Sequence, residues 1–112
     1  MHLTDLLTPD RIKIPLLSST KEELLRELVE VVSNGQDKPQ QEELLRAVRD
    51  REAVLSTGIG NGVAIPHGKS SILPELRMAA GTAARPVEFD ALDGQPVRLV
   101  FLLVGPETAA GP

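Results

Sequence analysis

Between Val97 and Val104 the chain carries seven apolar side chains and a single charge, Arg98. An apolar run without alternation suits a central strand covered on both faces. Turn signals bound it, Asp93-Gly94 before and Gly105-Pro106 after. Two helices are legible upstream. Ser18-Ser19-Thr20 offers N-caps, with Thr20 and Glu23, or equally Ser19 and Glu22, at capping-box spacing. Leu24, Leu28 and Val31 then share one face, widened by Leu25, Val29 and Val32, and Asn34-Gly35 supplies a stop. This predicts a helix from about Lys21 to Ser33. A second helix starts near Pro39, with Leu44, Leu45 and Val48 as its apolar stripe, and closes at Val54-Leu55. Arg46, Arg49, Asp50 and Glu52 are expected mainly on its solvated surface. Leu3 to Leu7 reads as one helical turn. Ile12 to Leu16 reads as a short strand that Pro15 restricts to an edge or a strand end. Met78 to Ala83 reads as a strand, and Val87 to Phe89 as a brief extended crossing. The order is strand, helix, helix, short strand, strand, strand, which predicts one α/β domain over residues 1–112. No helix follows the last strand, so the expectation is a shortened chain or a second copy that covers the sheet.

Several function classes are disfavoured at once. Acidic and basic residues are interleaved with a net charge of −4, and two Phe with no Tyr or Trp leave no stacking platform for nucleic acid. The absence of cysteine removes disulfides, thiolate metal sites and cysteine nucleophiles. The N-terminus lacks the pattern of a signal peptide, and the longest uncharged apolar run is far too short to span a membrane. A cytoplasmic protein without membrane insertion is the expectation.

The chemistry concentrates in Ser56-Thr57-Gly58-Ile59-Gly60-Asn61-Gly62-Val63-Ala64-Ile65-Pro66-His67-Gly68-Lys69, which holds four of the nine glycines. A glycine turn, a short buried strand at Val63-Ala64-Ile65 and a histidine at its mouth can hold a reactive imidazole at a surface. Two readings of His67 stand side by side. It is a structural hydrogen-bonding residue, or a neutral nucleophile beside backbone N–H groups suited to an anion. The glycines follow a helix and precede a strand, the reverse of a dinucleotide fingerprint, and they are equally compatible with a tight loop that binds nothing. Arg51 in the last turn of the second helix reads as a cation favoured at the negative helix end, or as a solvated side chain. No second histidine or carboxylate cluster at ligand spacing supports a metal.

Arg51-Glu52 followed by Ser56 through Gly68 resembles the phosphorylation-site region of enzyme IIA domains of the mannitol/fructose class in the bacterial phosphoenolpyruvate-dependent phosphotransferase system. Within that class it is most similar to the nitrogen-regulatory type. The resemblance implies a three-layer α/β/α fold with a mixed sheet, here lacking the C-terminal helices. It implies that His67 accepts a phosphoryl group through Nε2, that Nδ1 donates to a carbonyl, and that Arg51 offsets the phosphate charge. Ser56, Thr57, Gly60, Asn61 and Gly68 are expected around the phosphate, with Ser56 or Thr57 adding a hydroxyl donor. No cofactor or metal is implied. The donor would be a histidine-phosphorylated carrier protein, and the targets a sensor kinase or a potassium transporter. The alternatives are a sugar-specific component that passes phosphate to an enzyme IIB, and a purely regulatory binding module. Sugar-transporting members carry a second histidine beyond the last strand; none follows His67 here.

Overall fold

The computed structural model describes residues 7–33 and 38–107. Most of the turn expected at Leu3 to Leu7, and the Asn34-Gly35 stop, lie outside them. After a 3-10 turn at Pro9–Arg11 come β1 (Ile12–Leu16), α1 (Lys21–Val32), α2 (Lys38–Val54), β2 (Gly58–Gly60), β3 (Val63–Ala64), β4 (His67–Lys69), β5 (Arg77–Val87) and β6 (Val97–Gly105). The sheet runs β1-β5-β6-β3-β2, and β4 also pairs with β6. Strand β6 is therefore central, as its apolar run requires. It is antiparallel to β5 and parallel to both β3 and β4, so the sheet is mixed.

Helix α1 starts where its caps predict. Thr20 is the N-cap, its hydroxyl accepting the Glu23 N–H at 3.2 Å, while the Glu23 carboxylate reaches back to the Ser19 N–H and hydroxyl. Leu24, Leu28, Val29 and Val32 of α1 join Leu44, Leu45 and Val48 of α2 in one core with Val100, Leu102 and Val104 of β6. Both helices thus serve one face of the sheet. On β6 the other face carries Leu99, Phe101 and Leu103, which are half-buried. The run expected to be covered on both faces is sealed on one among the described residues.

Two connections differ from expectation. Gly58–Gly60 is a strand paired antiparallel with β3, and the turn sits at Asn61-Gly62, both at positive φ (57° and 78°). The glycine segment is thus a two-stranded hairpin, and the tight turn expected of it is confined to Asn61-Gly62. Strand β5 runs unbroken from Arg77 to Val87, absorbing the separate piece expected at Val87, with a register shift between Thr82 and Val87 that accommodates Pro86.

Strand β1, an edge as Pro15 predicted, lies against a glycine. A Cβ on Gly81 would sit 2.4 Å from the Lys13 carbonyl oxygen and 2.7 Å from Leu16 Cγ. Gly81→Ala must therefore push β1 off β5. We expect a loss of about 1–3 kcal/mol, read as a lower urea midpoint with an unchanged slope. An unchanged midpoint would show that β1 contributes little to the fold.

Candidate functional site

His67 opens β4 rather than hanging at the mouth of β3. Its backbone pairs with Leu103, and Gly68 pairs with Val104. Parallel pairing in register puts His67 on the face of Leu103 and Gly68 on the helix-covered face of Val104. Gly68 is required there, because a Cβ would lie 2.9 Å from Val48 Cγ2 and 3.1 Å from the Val48 backbone nitrogen. The close approach brings α2 down onto the residue beside the histidine. The half-buried imidazole borders an apolar cavity of about 320 Å³ with Ile65, Leu76, Leu103 and Pro106.

The ring is oriented by one contact. His67 Nδ1 lies 2.8 Å from the Ile65 carbonyl oxygen. A carbonyl only accepts, so Nδ1 carries the proton, and in the neutral ring the lone pair is on Nε2. That is the arrangement the resemblance implied. The Ile65 N–H in turn donates to the Thr57 carbonyl oxygen at 3.0 Å, and the Leu103 N–H donates to the Pro66 carbonyl oxygen at 3.0 Å. The two residues before the histidine are therefore fastened, one to Thr57 at the start of the hairpin and one to β6.

Arg51 is half-buried in the last turn of α2, where Nη1 donates to the Leu55 carbonyl oxygen at 2.9 Å. This realises the helix-end contact expected of a cation there. It lies three residues beyond Val48, so one turn of helix separates it from the residue that touches Gly68.

The serine and threonine face inward. Ser56 Oγ donates to the Phe89 carbonyl oxygen at 2.9 Å and accepts from the Gly58 N–H at 3.1 Å. Thr57 Oγ1 donates to Glu52 Oε1 at 2.6 Å, and its N–H donates to Glu52 Oε2 at 2.9 Å. Both hydroxyls build the loop. Gly60 and Asn61 form the hairpin tip, where the Asn61 N–H donates to Asp93 Oδ2 at 3.1 Å. The backbone N–H groups of Gln95 and Asn61 hold the exposed Asp93 carboxyl below its usual range. These residues thus surround the hairpin, with hydrogen bonds that run to Phe89, Glu52 and Asp93.

Sequence reasoning missed Glu52. It was expected on the solvated surface of α2, yet it is 6% exposed. Its carboxylate receives both Thr57 donors and pairs with Lys21 Nζ at 3.0 Å, while Lys21 also lies 4.6 Å from the Phe89 ring centroid. The available signal was Thr57 five residues later, whose two donors were expected at the phosphate and instead meet this carboxylate. Among the described residues there is no grouping of His, Asp and Glu able to hold a metal, and no helix long and apolar enough to cross a membrane.

Residues 5–111 match the profile of the family described as phosphoenolpyruvate-dependent sugar phosphotransferase system, EIIA 2. The chain is 42% identical over 114 residues to a nitrogen regulatory protein of Bradyrhizobium diazoefficiens, covering 97% of this chain and 71% of that protein. It is 37% identical over 109 residues to the fructose-specific EIIABC component of Bacillus subtilis, covering 97% of this chain but 17% of that longer protein. The crystal structure of the nitrogen regulatory protein IIA-Ntr from Neisseria meningitidis superposes with a TM-score of 0.86 at 32% identity, over 96% of this chain and 73% of that one.

Proposed function

The chain belongs to the phosphoenolpyruvate-dependent sugar phosphotransferase system EIIA 2 family, and from that premise we propose that it is a phosphocarrier whose acceptor is Nε2 of His67. The observation that carries this is the 2.8 Å contact between Nδ1 and the Ile65 carbonyl oxygen, which leaves the lone pair of the neutral ring on Nε2. In the transfer that lone pair attacks the phosphorus of a phosphohistidine on the carrier protein. The donor's N–P bond breaks as the new one forms, and the donor nitrogen recovers its electron pair. The proton stays on Nδ1. Positive charge that develops on the ring is met by the Ile65 carbonyl dipole, already in place before reaction. Arg51 is the cation we assign to the incoming phosphate oxygens, and its position one turn from Val48 supports this. Gly60, Asn61 and Gly68 shape the approach, while Ser56 and Thr57 support it from within.

Two branches of the family remain as readings. Identity of 42% over most of both chains favours a regulatory role of the nitrogen type, with a sensor kinase or potassium transporter as the class of target. Identity of 37% to a fructose-specific component favours transfer onward to an enzyme IIB. In either branch the protein works in the cytoplasm, on the side where phosphoenolpyruvate is made. A face left half-covered by Leu99, Phe101 and Leu103 also favours self-association, which sedimentation would detect.

The test is direct. The folded protein is incubated with phosphoenolpyruvate, enzyme I and the carrier protein, and its intact mass is followed. One phosphoryl increment, labile in acid, stable in base and mapped to His67, is expected. Its absence from a folded sample would refute the phosphocarrier reading.

A further inference from the structure

We propose that Glu52 is a positioning residue for His67, acting through Thr57 and Ile65 to fix the proton on Nδ1. Three hydrogen-bonded links form a continuous path. The Glu52 carboxylate takes the Thr57 N–H and hydroxyl at 2.9 and 2.6 Å. The Thr57 carbonyl takes the Ile65 N–H at 3.0 Å. The Ile65 carbonyl takes the Nδ1 proton at 2.8 Å.

The first link is unusual in what it constrains. Two oxygens of one carboxylate accept from both donors of a single residue, which fixes the orientation of Thr57 and so the direction of its carbonyl. Burying a carboxylate is costly unless each oxygen is compensated. Here Lys21 Nζ at 3.0 Å supplies the counter-charge. A side chain 4% exposed, at the end of the helix that touches Gly68, is thereby committed to the loop that carries the ring's acceptor. No proton travels along the path. Glu52 sets where the Ile65 carbonyl points, and that carbonyl selects the tautomer.

This inference rests on the phosphocarrier reading for its consequence but not for its test. Nitrogen NMR of the labelled imidazole reports which ring nitrogen holds the proton, and uptake from the histidine-phosphorylated carrier reports the rate. In wild type and in Thr57→Ser, which keeps both donors, the neutral ring is expected with its proton on Nδ1. In Glu52→Gln and in Thr57→Val the proton distributes towards Nε2. The initial rate falls roughly 10–100-fold, the range in which a lost orienting partner acts. The carrier concentration for half-maximal rate stays the same. Unchanged tautomer in a folded Glu52→Gln overturns the proposal. If that variant does not fold, Thr57→Val, which retains the backbone donor, decides by the same two readouts. If wild type takes no phosphoryl group, the phosphocarrier reading fails while a tautomer shift still upholds the positioning role.

Discussion

His67→Gln should take up no phosphoryl group at all, while unfolding within about 1 kcal/mol of wild type. The amide has no nucleophilic lone pair to replace Nε2, so no slow background reaction at this position survives. The stability cost is confined to one hydrogen bond, that to the Ile65 carbonyl, and an ordinary bond of this kind contributes about 1 kcal/mol. Mass spectrometry after incubation with the phosphorylated carrier, beside a urea titration, measures both. A retained increment would place the acceptor elsewhere. In cells a second change, His67→Ala, separates the branches. A component that passes phosphate onward loses its downstream effect with His67→Ala. A regulatory module that docks unphosphorylated is instead locked in its active state, because the added charge that would release it never arrives.

The largest expected effect on stability lies far from the histidine. Glu27, 7% exposed, accepts the Leu17 N–H through both carboxylate oxygens, accepts the Ser18 N–H and hydroxyl, and pairs with Lys13 at 2.7 Å. It ties β1 to α1. Burial by itself would push its carboxyl up. The Lys13 partner, the Ser18 hydroxyl and the two backbone N–H groups outweigh burial and hold it down at about 2, against 4.5 for a free side chain. A depressed folded value means the stabilisation is full above pH 4.5 and is lost as pH falls from 4.5 towards 2. A carboxyl held at about 2 instead of 4.5 contributes on the order of 3 kcal/mol. Glu27→Gln should therefore lower the melting temperature at pH 7 by on the order of 10 °C. The gap between variant and wild type should close below pH 3. A gap that persists undiminished at pH 2 would refute the assignment.

The features legible in the sequence were those written in side-chain pattern. Seven apolar residues in eight marked β6, and a 3.6-residue stripe behind Thr20 marked α1. His67 stood out as a candidate by its neighbours in the chain. The hairpin was not, because Gly58 and Gly60 have no side chains to alternate, and their pairing with β3 is purely backbone. Glu52 was hidden for the opposite reason. A carboxylate off the apolar stripe of α2 reads as solvated, and only the fold brings Thr57 and Lys21 to it. The inward turn of the Ser56 and Thr57 hydroxyls has the same origin, since Phe89 reaches Ser56 from 33 residues away.

Strand β6 holds β3 at Leu99 and Val100, and β4 at Leu103 through Gly105. The hairpin that carries Thr57 and the strand that carries His67 are two guests on one host. They have no independent hinge between them: the Ile65-Pro66 step that joins them is itself bonded to Thr57 on one side and Leu103 on the other. The placement of His67 and the integrity of the sheet are consequently coupled in this protein. The strand that anchors the hydrophobic core is also the ruler against which the His67 ring is set, and a fluctuation that frees one frees both.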